Sequence, residues 1–291
     1  MEIDGDGLPK GNRMISVLIL TLNEEAVLED CLRSVAWSDD VHVFDSGSTD
    51  RTEDIARRHG ASISKRTFDG YASQRNAALS QCPFRHDWIL ILDADERIPR
   101  GGDAELESLA REAMPEVAGF RLRRRDYMDG RWLRHAQISP WYIRLIRKGR
   151  GRYHREINEV LEIDGRVADT GFHFDHHPFA KGVGHWMQRH VGYARMEADR
   201  LIEERGDRGA FSFSKALFSR DFNERRFHQK GIYYRLPFRP LLKWLYMMGW
   251  RLSFLDGRPG VTYACLQTVY EYLIVLNVRE ASNHRRAGKT H

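Results

Sequence analysis

Short apolar runs alternate with amphipathic segments over the first hundred residues of the chain. Four runs have the length and apolar character of strands in a sheet that is covered on both faces, at 14–20, 41–44, 61–65 and 88–92. Apolar side chains recur at helical spacing in 27–35, 51–59 and 71–80, and Asn23 is expected to cap the first of these helices. This alternation predicts an α/β fold in which helices flank a mostly parallel sheet.

Polar side chains follow three of the predicted strands. Thr21 and Glu24 come after the first run, Asp45 follows the second, and Asp93 follows the fourth. Ligands bind outside the carboxyl ends of the strands in open parallel sheets, so we expect these side chains to converge at that edge. Each acid taken alone also has an ordinary explanation as a helix cap or a solvated turn.

The fourth run ends in three carboxylates within four residues, Asp93, Asp95 and Glu96. Carboxylates this close repel one another, and their burial at a strand end is costly unless a cation compensates. A divalent ion that arrives with a phosphorylated ligand would do so, because Mg²⁺ and Mn²⁺ prefer hard oxygen ligands. The alternative is a solvated loop after a core strand, since an Asp-x-Asp pair alone is a weak motif.

Two alternating segments follow at 120–125 and 142–147, and both predict strands with one solvated face. The first of them contains four arginines: Arg121, Arg123, Arg124 and Arg125. These side chains either cover the solvated face or meet a phosphorylated substrate, and the pattern leaves both interpretations open.

Four motifs in this order resemble the signatures of family 2 glycosyltransferases, in particular the bacterial branch that builds lipopolysaccharide core and surface polysaccharides. They are SVLILTLNEE at 16–25, DSGSTD at 45–50, QRN at 74–76 and LDADE at 92–96. The resemblance implies a GT-A (Rossmann-like) fold, an inverting mechanism, a nucleotide-sugar donor, and Mn²⁺ or Mg²⁺ as cofactor. It also implies donor-binding roles for six residues: Thr21, Glu24 and Asp45 in the nucleotide pocket, Arg75 at the diphosphate, Asp93 at the ribose, and Asp95 at the metal.

The resemblance also suggests the general base. A pair of polar residues precedes a short strand and a Gly turn in the similar enzymes, and here Asn158 and Glu159 stand in that place. Inverting transfer needs a carboxylate to take the proton of the acceptor hydroxyl, so Glu159 is the predicted catalytic residue. Glu156 and Asp126 are rivals, and Glu159 could instead pair with a nearby arginine.

Three histidines lie close together in the segment 171–178: His173, His176 and His177. A histidine near the donor site is common in the similar enzymes, so His176 is the predicted metal or diphosphate contact and His177 is its alternative. A dedicated zinc site is not expected, because no cysteine or second histidine pair completes it.

The C-terminal region is basic, with 16 Lys and Arg against 6 Asp and Glu from Arg205 onward, whereas residues 1–204 carry 30 against 35. Two apolar stretches, 236–255 and 261–278, flank a polar turn, and Arg239, Lys243 and Arg251 interrupt the first. This pattern predicts an amphipathic helical hairpin in the membrane interface with basic side chains reaching toward phosphates. The alternative is a helix pair that packs on the core or forms a homo-oligomer interface.

These observations predict a GT-A catalytic domain over 1–204, with a nucleotide-sugar half at 14–100 and an acceptor half at 115–204. A membrane-associating or oligomerisation region would follow over 205–291. The expected activity is transfer of a hexose, glucose as a first assumption, from a UDP-sugar to a lipid-linked or lipopolysaccharide acceptor at the cytoplasmic face of the inner membrane.

Two other functions are compatible with parts of the sequence. Phosphoryl transfer of the haloacid-dehalogenase kind also uses Asp-x-Asp at a strand end, but it requires Thr or Val where this chain has Arg97. A non-catalytic module that binds membranes or nucleic acid through the basic region is the second alternative. No nucleic-acid partner is expected, because the region lacks a recognisable nucleic-acid-binding motif.

Overall fold

A computed structural model describes residues 13–154, 160–206, 212–218, 225, 228–229, 233, 236 and 238–287. The chain divides into an N-terminal unit, residues 1–132 with 138–181, and a C-terminal unit, residues 133–137 with 182–291. The helix Val183–Gly206 and the segment 133–137 group with the C-terminal unit, and the catalytic domain over 1–204 stays a prediction.

The N-terminal unit has the alternating order of elements that the apolar pattern predicts. Its strands are β1 Ile15–Thr21, β2 Val41–Asp45, β3 Ser62–Lys65, β4 Trp88–Asp93, β5 Glu96–Arg97, β6 Val117–Met128, β7 Arg131–Trp132, β8 Trp141–Arg147, β9 Gly151–His154, β10 Val160–Ile163 and β11 Arg166–His176. Its helices are α1 Leu28–Ser34, α2 Thr52–Arg58, α3 Tyr71–Gln81 and α4 Gly102–Glu112.

The main sheet is mixed, with the strand order β3-β2-β1-β4-β8-β6-β11-β5 and with β7 attached to β6. β1 to β4 form the predicted parallel half. β8 runs antiparallel to both β4 and β6, and β11 runs parallel to β6. Strands β4, β6 and β11 therefore point the same way, so their carboxyl ends lie on one edge of the sheet. β9 and β10 form a separate antiparallel hairpin.

The central strands are buried on both faces, which explains their unbroken apolar runs. Val17 and Leu90 are register partners and face the core that includes α1 and α4. Their neighbours Leu18 and Ile91 point to the opposite face, into the core that includes α3. Because successive side chains of a strand alternate between faces, the sheet is anchored on both sides beneath its polar edge.

The first helix starts later than the sequence indicates. α1 begins at Leu28 with Val27 at its N-terminal boundary, so the prediction that Asn23 caps it is wrong. Asn23 adopts a left-handed conformation, φ 57°, and its side-chain oxygen accepts a hydrogen bond of 2.8 Å from the backbone N–H of Thr49. Asn is among the few residues that tolerate this conformation. Asn23 therefore joins the loop after β1 to the loop after β2.

The described part of the C-terminal unit is helical. It contains α5 Val183–Gly206, α6 Phe213–Phe218, α7 Arg239–Leu245, a π-helical turn Tyr246–Trp250, a 3₁₀ turn Ser253–Asp256 and α8 Gly257–Ala287. Buried Ala194, Ala198 and Leu201 of α5 pack with Ile274 and Val278 of α8. Within the described ranges no helix is both long enough and apolar enough to cross a bilayer.

Two of the basic residues that interrupt the first apolar stretch lie inside the unit. Arg239 is buried in an ion pair with Glu271 of α8. The guanidinium of Arg251 donates hydrogen bonds to the backbone oxygens of His135 and Gln137, at 2.8 and 3.0 Å. The prediction that these side chains reach toward lipid phosphates is therefore wrong for Arg239 and Arg251. The reason is that a buried carboxylate binds Arg239 and two backbone oxygens bind Arg251, and both kinds of acceptor compete for a guanidinium.

The turn predicted at 255–260 is only partly present: Leu255 and Asp256 end the 3₁₀ turn, whereas residues 257–260 form the tightly packed start of α8. Asp256 is buried and accepts hydrogen bonds from the backbone N–H groups of His135 and Ala136, at 2.8 and 2.7 Å. A Cβ atom on Gly260 would lie 2.0 Å from the backbone oxygen of Ser253, so no side chain fits there. Glycine at this position allows the two backbone segments to approach.

Candidate active site at the carboxyl edge of the sheet

The carboxyl ends of β1, β2 and β4 bring three of the predicted site residues to one edge. Thr21 is the register partner of Asp45, and Leu20, directly before Thr21, is the partner of Asp93. The convergence follows from the parallel pairing of these strands, in which equivalent ends meet. The edge is therefore a candidate ligand site by its place in the topology.

Asp45 is fully buried, and its carboxylate accepts four hydrogen bonds. The donors are the hydroxyls of Thr21 and Ser48, at 2.8 and 2.6 Å, and the backbone N–H groups of Gly47 and Ser48, at 2.9 and 2.7 Å. Gly47 has φ 93°, a conformation that favours glycine. Asp45 thus shapes the loop after β2, and the role of Asp45 and Thr21 in a nucleotide pocket stays a prediction.

Asp93 lies between two arginines. Its Oδ1 accepts a hydrogen bond of 2.9 Å from Arg75 of α3, and its Oδ2 accepts one of 3.1 Å from Arg144 of β8. Burial would raise the pKa of Asp93, but the charges of Arg75 and Arg144 outweigh burial and hold that pKa well below its ordinary value. Asp93 is therefore ionised at neutral pH.

Arg144 also forms an ion pair with Glu96, and both side chains are buried. The other carboxylate oxygen of Glu96 accepts a 3.0 Å hydrogen bond from the backbone N–H of Asp93. Burial raises the pKa of Glu96 to about 7 despite the neighbouring Arg144. Burial would lower the pKa of Arg144, but Glu96 and Asp93 raise it, so the guanidinium keeps its charge. The buried guanidinium of Arg144 thus forms ion pairs with two carboxylates, Asp93 and Glu96.

Sequence reasoning missed Arg144, because it stands in a segment that reads as an ordinary alternating strand. The pairing of β8 with β6 is irregular here: Phe120 pairs with Leu145, whereas Arg121 pairs with Ile143. Arg144 lies at the bulge between these pairs. Bulges re-aim side chains next to functional sites, and a bulge of this kind leaves no recognisable signal in the sequence.

Asp95 lies beside His176 of β11. The distance from His176 Nε2 to Asp95 Oδ2 is 3.4 Å, and that from His176 Nδ1 to Asp126 Oδ1 is 2.5 Å. Burial would lower the pKa of His176, but Asp95 and Asp126 raise it to about 10. Asp126, a rival for the role of general base, is itself buried and lies 3.1 Å from the Nε of Arg124.

The neighbouring His177 is placed differently. Its backbone N–H donates a 2.8 Å hydrogen bond to the backbone oxygen of Asp95, and its ring stacks on Tyr127 with centroids 5.2 Å apart. Burial lowers the pKa of His177 to about 4, and the charges of Arg97 and His176 act in the same direction. Of the two candidates, His176 is the one whose ring faces the Asp95 carboxylate.

Asp95 and His176 could hold a divalent ion together with a ligand. Within the described residues, no group of three or more His, Cys, Asp or Glu could hold a metal ion. Mg²⁺ and Mn²⁺ in nucleotide sites are commonly bound by one or two carboxylates, with phosphate oxygens and water in the remaining positions. The donor set fits an ion whose coordination a diphosphate completes and which takes the place of the proton on Nε2 of His176, because only a neutral imidazole binds a metal.

The motif at 74–76 reaches three elements from one helix. Gln74 donates a 2.9 Å hydrogen bond to Ser46 in the loop after β2, and Arg75 binds Asp93. Asn76 exchanges two hydrogen bonds of 2.8 Å with the backbone N–H and oxygen of Tyr153 in β9. Successive residues of a helix point in different directions, so α3 ties together the loop after β2, the end of β4 and β9.

Glu24 is compensated by a lysine that the sequence did not single out. Lys181 Nζ lies 2.7 Å from Glu24 Oε2 and donates a 2.8 Å hydrogen bond to the backbone oxygen of Asn23. The backbone N–H of Glu24 donates to Thr52 Oγ1 at 2.8 Å. Lys181 thus anchors the loop after β1. Glu159 and its rival Glu156 lie outside the described residues.

The N-terminal unit has the architecture expected of a GT-A glycosyltransferase. It combines a parallel half-sheet, which has acidic residues at its carboxyl edge, with an antiparallel half. The family model of Glycosyl transferase family 2 matches residues 16–180, which is most of the N-terminal unit. The chain belongs to this family and is a glycosyltransferase. The family predicted from the four motifs is confirmed.

Individual relatives agree with this assignment. The lipopolysaccharide core biosynthesis glycosyltransferase LpsC of Rhizobium meliloti (strain 1021) is 30% identical over 275 residues, which cover 89% of this chain and 92% of that protein. An uncharacterized glycosyltransferase of Rickettsia bellii (strain RML369-C) is 40% identical over 96 residues, or 33% of this chain and 32% of that protein. This chain is thus related to a lipopolysaccharide core glycosyltransferase.

A solved structure of glucosyl-3-phosphoglycerate synthase from Mycobacterium tuberculosis, in complex with Mn²⁺, uridine diphosphate and glucosyl-3-phosphoglycerate, is also similar. It shares 25% identity with a TM-score of 0.34, and the match covers 40% of this chain and 46% of that one.

We expect Arg144→Met to lower the free energy of unfolding by about 3–5 kcal/mol, because it leaves two carboxylates at the edge without their shared buried cation. Urea denaturation at pH 7 measures this. Arg144→Met combined with Glu96→Gln should recover part of the loss. Arg152→Met is the matched control, since Arg152 is exposed and has no ion pair among the described residues. Equal effects of Arg144→Met and Arg152→Met would contradict the prediction.

Proposed function

We propose that this protein is an inverting, metal-dependent hexosyltransferase that uses a UDP-sugar and a lipid-linked glycan acceptor in lipopolysaccharide or surface-polysaccharide assembly. The observation that carries the proposal is the meeting of Arg75, Asp93, Asp95, Arg144 and His176 at the carboxyl edge of the sheet. UDP as nucleotide and glucose as sugar come from the family resemblance.

The charges at this edge suit a nucleoside diphosphate. Arg75 is held 2.9 Å from Asp93, with its guanidinium carbon 5.3 Å from the centre of the Tyr153 ring, and it offers a planar set of donors to phosphate oxygens. Asp95 and His176 would hold the divalent ion, which stabilises negative charge on the diphosphate when it is bound. Asp126 binds Nδ1 of His176 and so directs Nε2 toward Asp95.

The reaction requires a base on the acceptor side. A carboxylate takes the proton of the acceptor hydroxyl while its oxygen attacks the anomeric carbon from the side opposite the diphosphate. The bond from that carbon to the diphosphate oxygen breaks, the nucleoside diphosphate leaves, and the configuration inverts. We assign this base to Glu159. Asp126 is a poor rival, because its carboxylate already binds His176 and Arg124 in a buried position.

Calorimetric titration with UDP and UDP-glucose, with Mn²⁺ and then with EDTA, tests the donor site. We expect binding that EDTA abolishes, and Asp95→Asn should weaken it about 10- to 100-fold by removing a metal ligand. Asp87→Asn, at an exposed carboxylate, is the control. Wild-type protein that binds neither UDP nor GDP nor dTDP would contradict a nucleotide-sugar donor.

Glu159→Gln tests the base separately. The amide keeps the size of the side chain but cannot accept a proton, so turnover should fall about 100-fold or more while UDP affinity stays within a few-fold of wild type. Initial rates and calorimetry on the same preparation measure both. Glu156→Gln is the matched control. Unchanged turnover in Glu159→Gln, or lost UDP binding, would remove Glu159 from this role.

We further propose that the C-terminal unit attaches the enzyme to the cytoplasmic face of the inner membrane. Large apolar side chains are exposed between residues 238 and 255: Phe238, Leu241, Leu245, Trp250, Phe254 and Leu255. Phe238 is 77% exposed and Trp250 is 80% exposed. Exposure of such large apolar side chains is costly in water, whereas the same side chains are stabilised at headgroup depth in a membrane. A surface of this kind supports an acceptor that is itself held in the membrane.

Flotation with vesicles of phosphatidylethanolamine and phosphatidylglycerol tests the attachment. The double change Phe238→Ser and Trp250→Ser should reduce the bound fraction strongly, because it removes exposed apolar surface without disturbing a core. Tyr272→Ser, at a half-exposed position on α8, is the control. If the wild type does not float and instead sediments as a dimer that the double change dissociates, the surface is an interface between copies.

A further inference from the structure

The four arginines of β6 divide between the two faces of the sheet. Arg124 shares a face with Asp126 and with its register partner Phe174. Arg121, Arg123 and Arg125 alternate with these residues and lie on the opposite face. The structure therefore separates a run that the sequence presents as one basic segment.

Two of the three arginines on the opposite face are neutralised. Arg121 forms an ion pair with Asp169 at 2.9 Å, and Arg125 forms one with Asp175 at 2.7 Å. Arg123 lies between them. Its guanidinium forms no ion pair with, and donates no hydrogen bond to, any residue that the structure describes, and its Nε is buried. A guanidinium that has lost water at one nitrogen gains strongly from a charged acceptor at the others.

The guanidinium of Arg123 lies near aromatic side chains. The carbon of the Arg123 guanidinium lies 5.3 Å from the centre of the Trp141 ring, and Trp141 is 43% exposed. On the neighbouring strand β11, His173 is the register partner of Arg123. The His173 ring contacts the ring of Trp132, and the guanidinium of Arg125 lies over that same Trp132 ring. Burial lowers the pKa of His173, and so do the charges of Arg125 and Arg123, so His173 adds no second charge at neutral pH.

The position of this surface relates it to the transfer reaction. Arg123 lies three residues before Asp126 on β6, whose carboxyl end shares the edge of the sheet with the ends of β4 and β11. Residues three apart in a strand are separated by about 10 Å. A glycan of a few sugar units could therefore reach from this surface to the edge where the donor site is proposed.

We propose that Arg123 and Trp141 form an acceptor subsite for a negatively charged sugar unit, which carries a phosphate or a carboxylate. The guanidinium binds the anionic substituent, and the exposed part of the indole packs against the apolar C–H face of the sugar ring. The inference rests on the proposed glycan acceptor. A nucleic acid fits less well, because tracking a phosphate backbone takes several uncompensated cations, and of the three β6 arginines described on this face only Arg123 lacks a carboxylate partner.

Ligand-observed saturation-transfer NMR tests the subsite on the full chain without turnover. The probes are glucose 6-phosphate, galacturonate, glucose and inorganic phosphate. We expect millimolar binding of at least one charged sugar, and at least tenfold weaker binding of glucose and of phosphate alone. Arg123→Gln and Trp141→Leu should each weaken the charged sugar about tenfold or more. The ratio between glucose 6-phosphate and galacturonate distinguishes a phosphate from a carboxylate substituent.

Arg121→Gln is the matched control, since Arg121 lies on the same strand and face but is paired with Asp169. It should leave the affinity within twofold, and all variants should keep the wild-type melting temperature and UDP affinity. The subsite would be overturned if no charged sugar binds, or if Arg121→Gln loses as much charged-sugar affinity as Arg123→Gln. Binding of oligo(dT) that is tighter than that of the charged sugar would also overturn it. UDP binding without sugar binding refutes the subsite alone, whereas sugar binding without UDP binding refutes the proposed donor.

Discussion

The buried cation of Arg144 is the interaction on which the acidic edge depends. Asp93 and Glu96 stand close together, and like charges in a partly buried place repel unless a cation lies between them. Arg144 comes from β8, 51 residues after Asp93, and binds both. The parallel half of the sheet, which bears the predicted donor residues, is thus joined by charge to the antiparallel half.

Several motif residues at this edge hold other parts of the protein in place, in addition to their proposed contacts with a nucleotide. Asp45 organises the loop that follows it, and the 74–76 motif holds Ser46, Asp93 and β9 at once. The proposed nucleotide would meet hydrogen-bond donors that these contacts already orient. Such preorganisation is what electrostatic stabilisation of a departing diphosphate requires, because little reorientation remains to be done.

The two units carry different parts of the proposed activity. The family match ends at residue 180, next to the end of the N-terminal unit at residue 181, and the exposed apolar side chains between 238 and 255 lie in the C-terminal unit. The similarity to the lipopolysaccharide core enzyme covers 89% of the chain and so extends into the C-terminal unit. The sequence similarity to that relative is therefore not confined to the N-terminal unit.

The sequence by itself determined the family, the parallel half of the sheet and the convergence of Thr21, Asp45 and Asp93, because apolar periodicity and strand-end polarity are local signals. Tertiary structure alone decided that Arg144 is the shared cation, that Lys181 compensates Glu24, and that Arg239 and Arg251 bind partners within the protein. These pairings join residues far apart in the chain. Which partner a charged side chain finds depends on strand register and a bulge, and neither is encoded in local pattern.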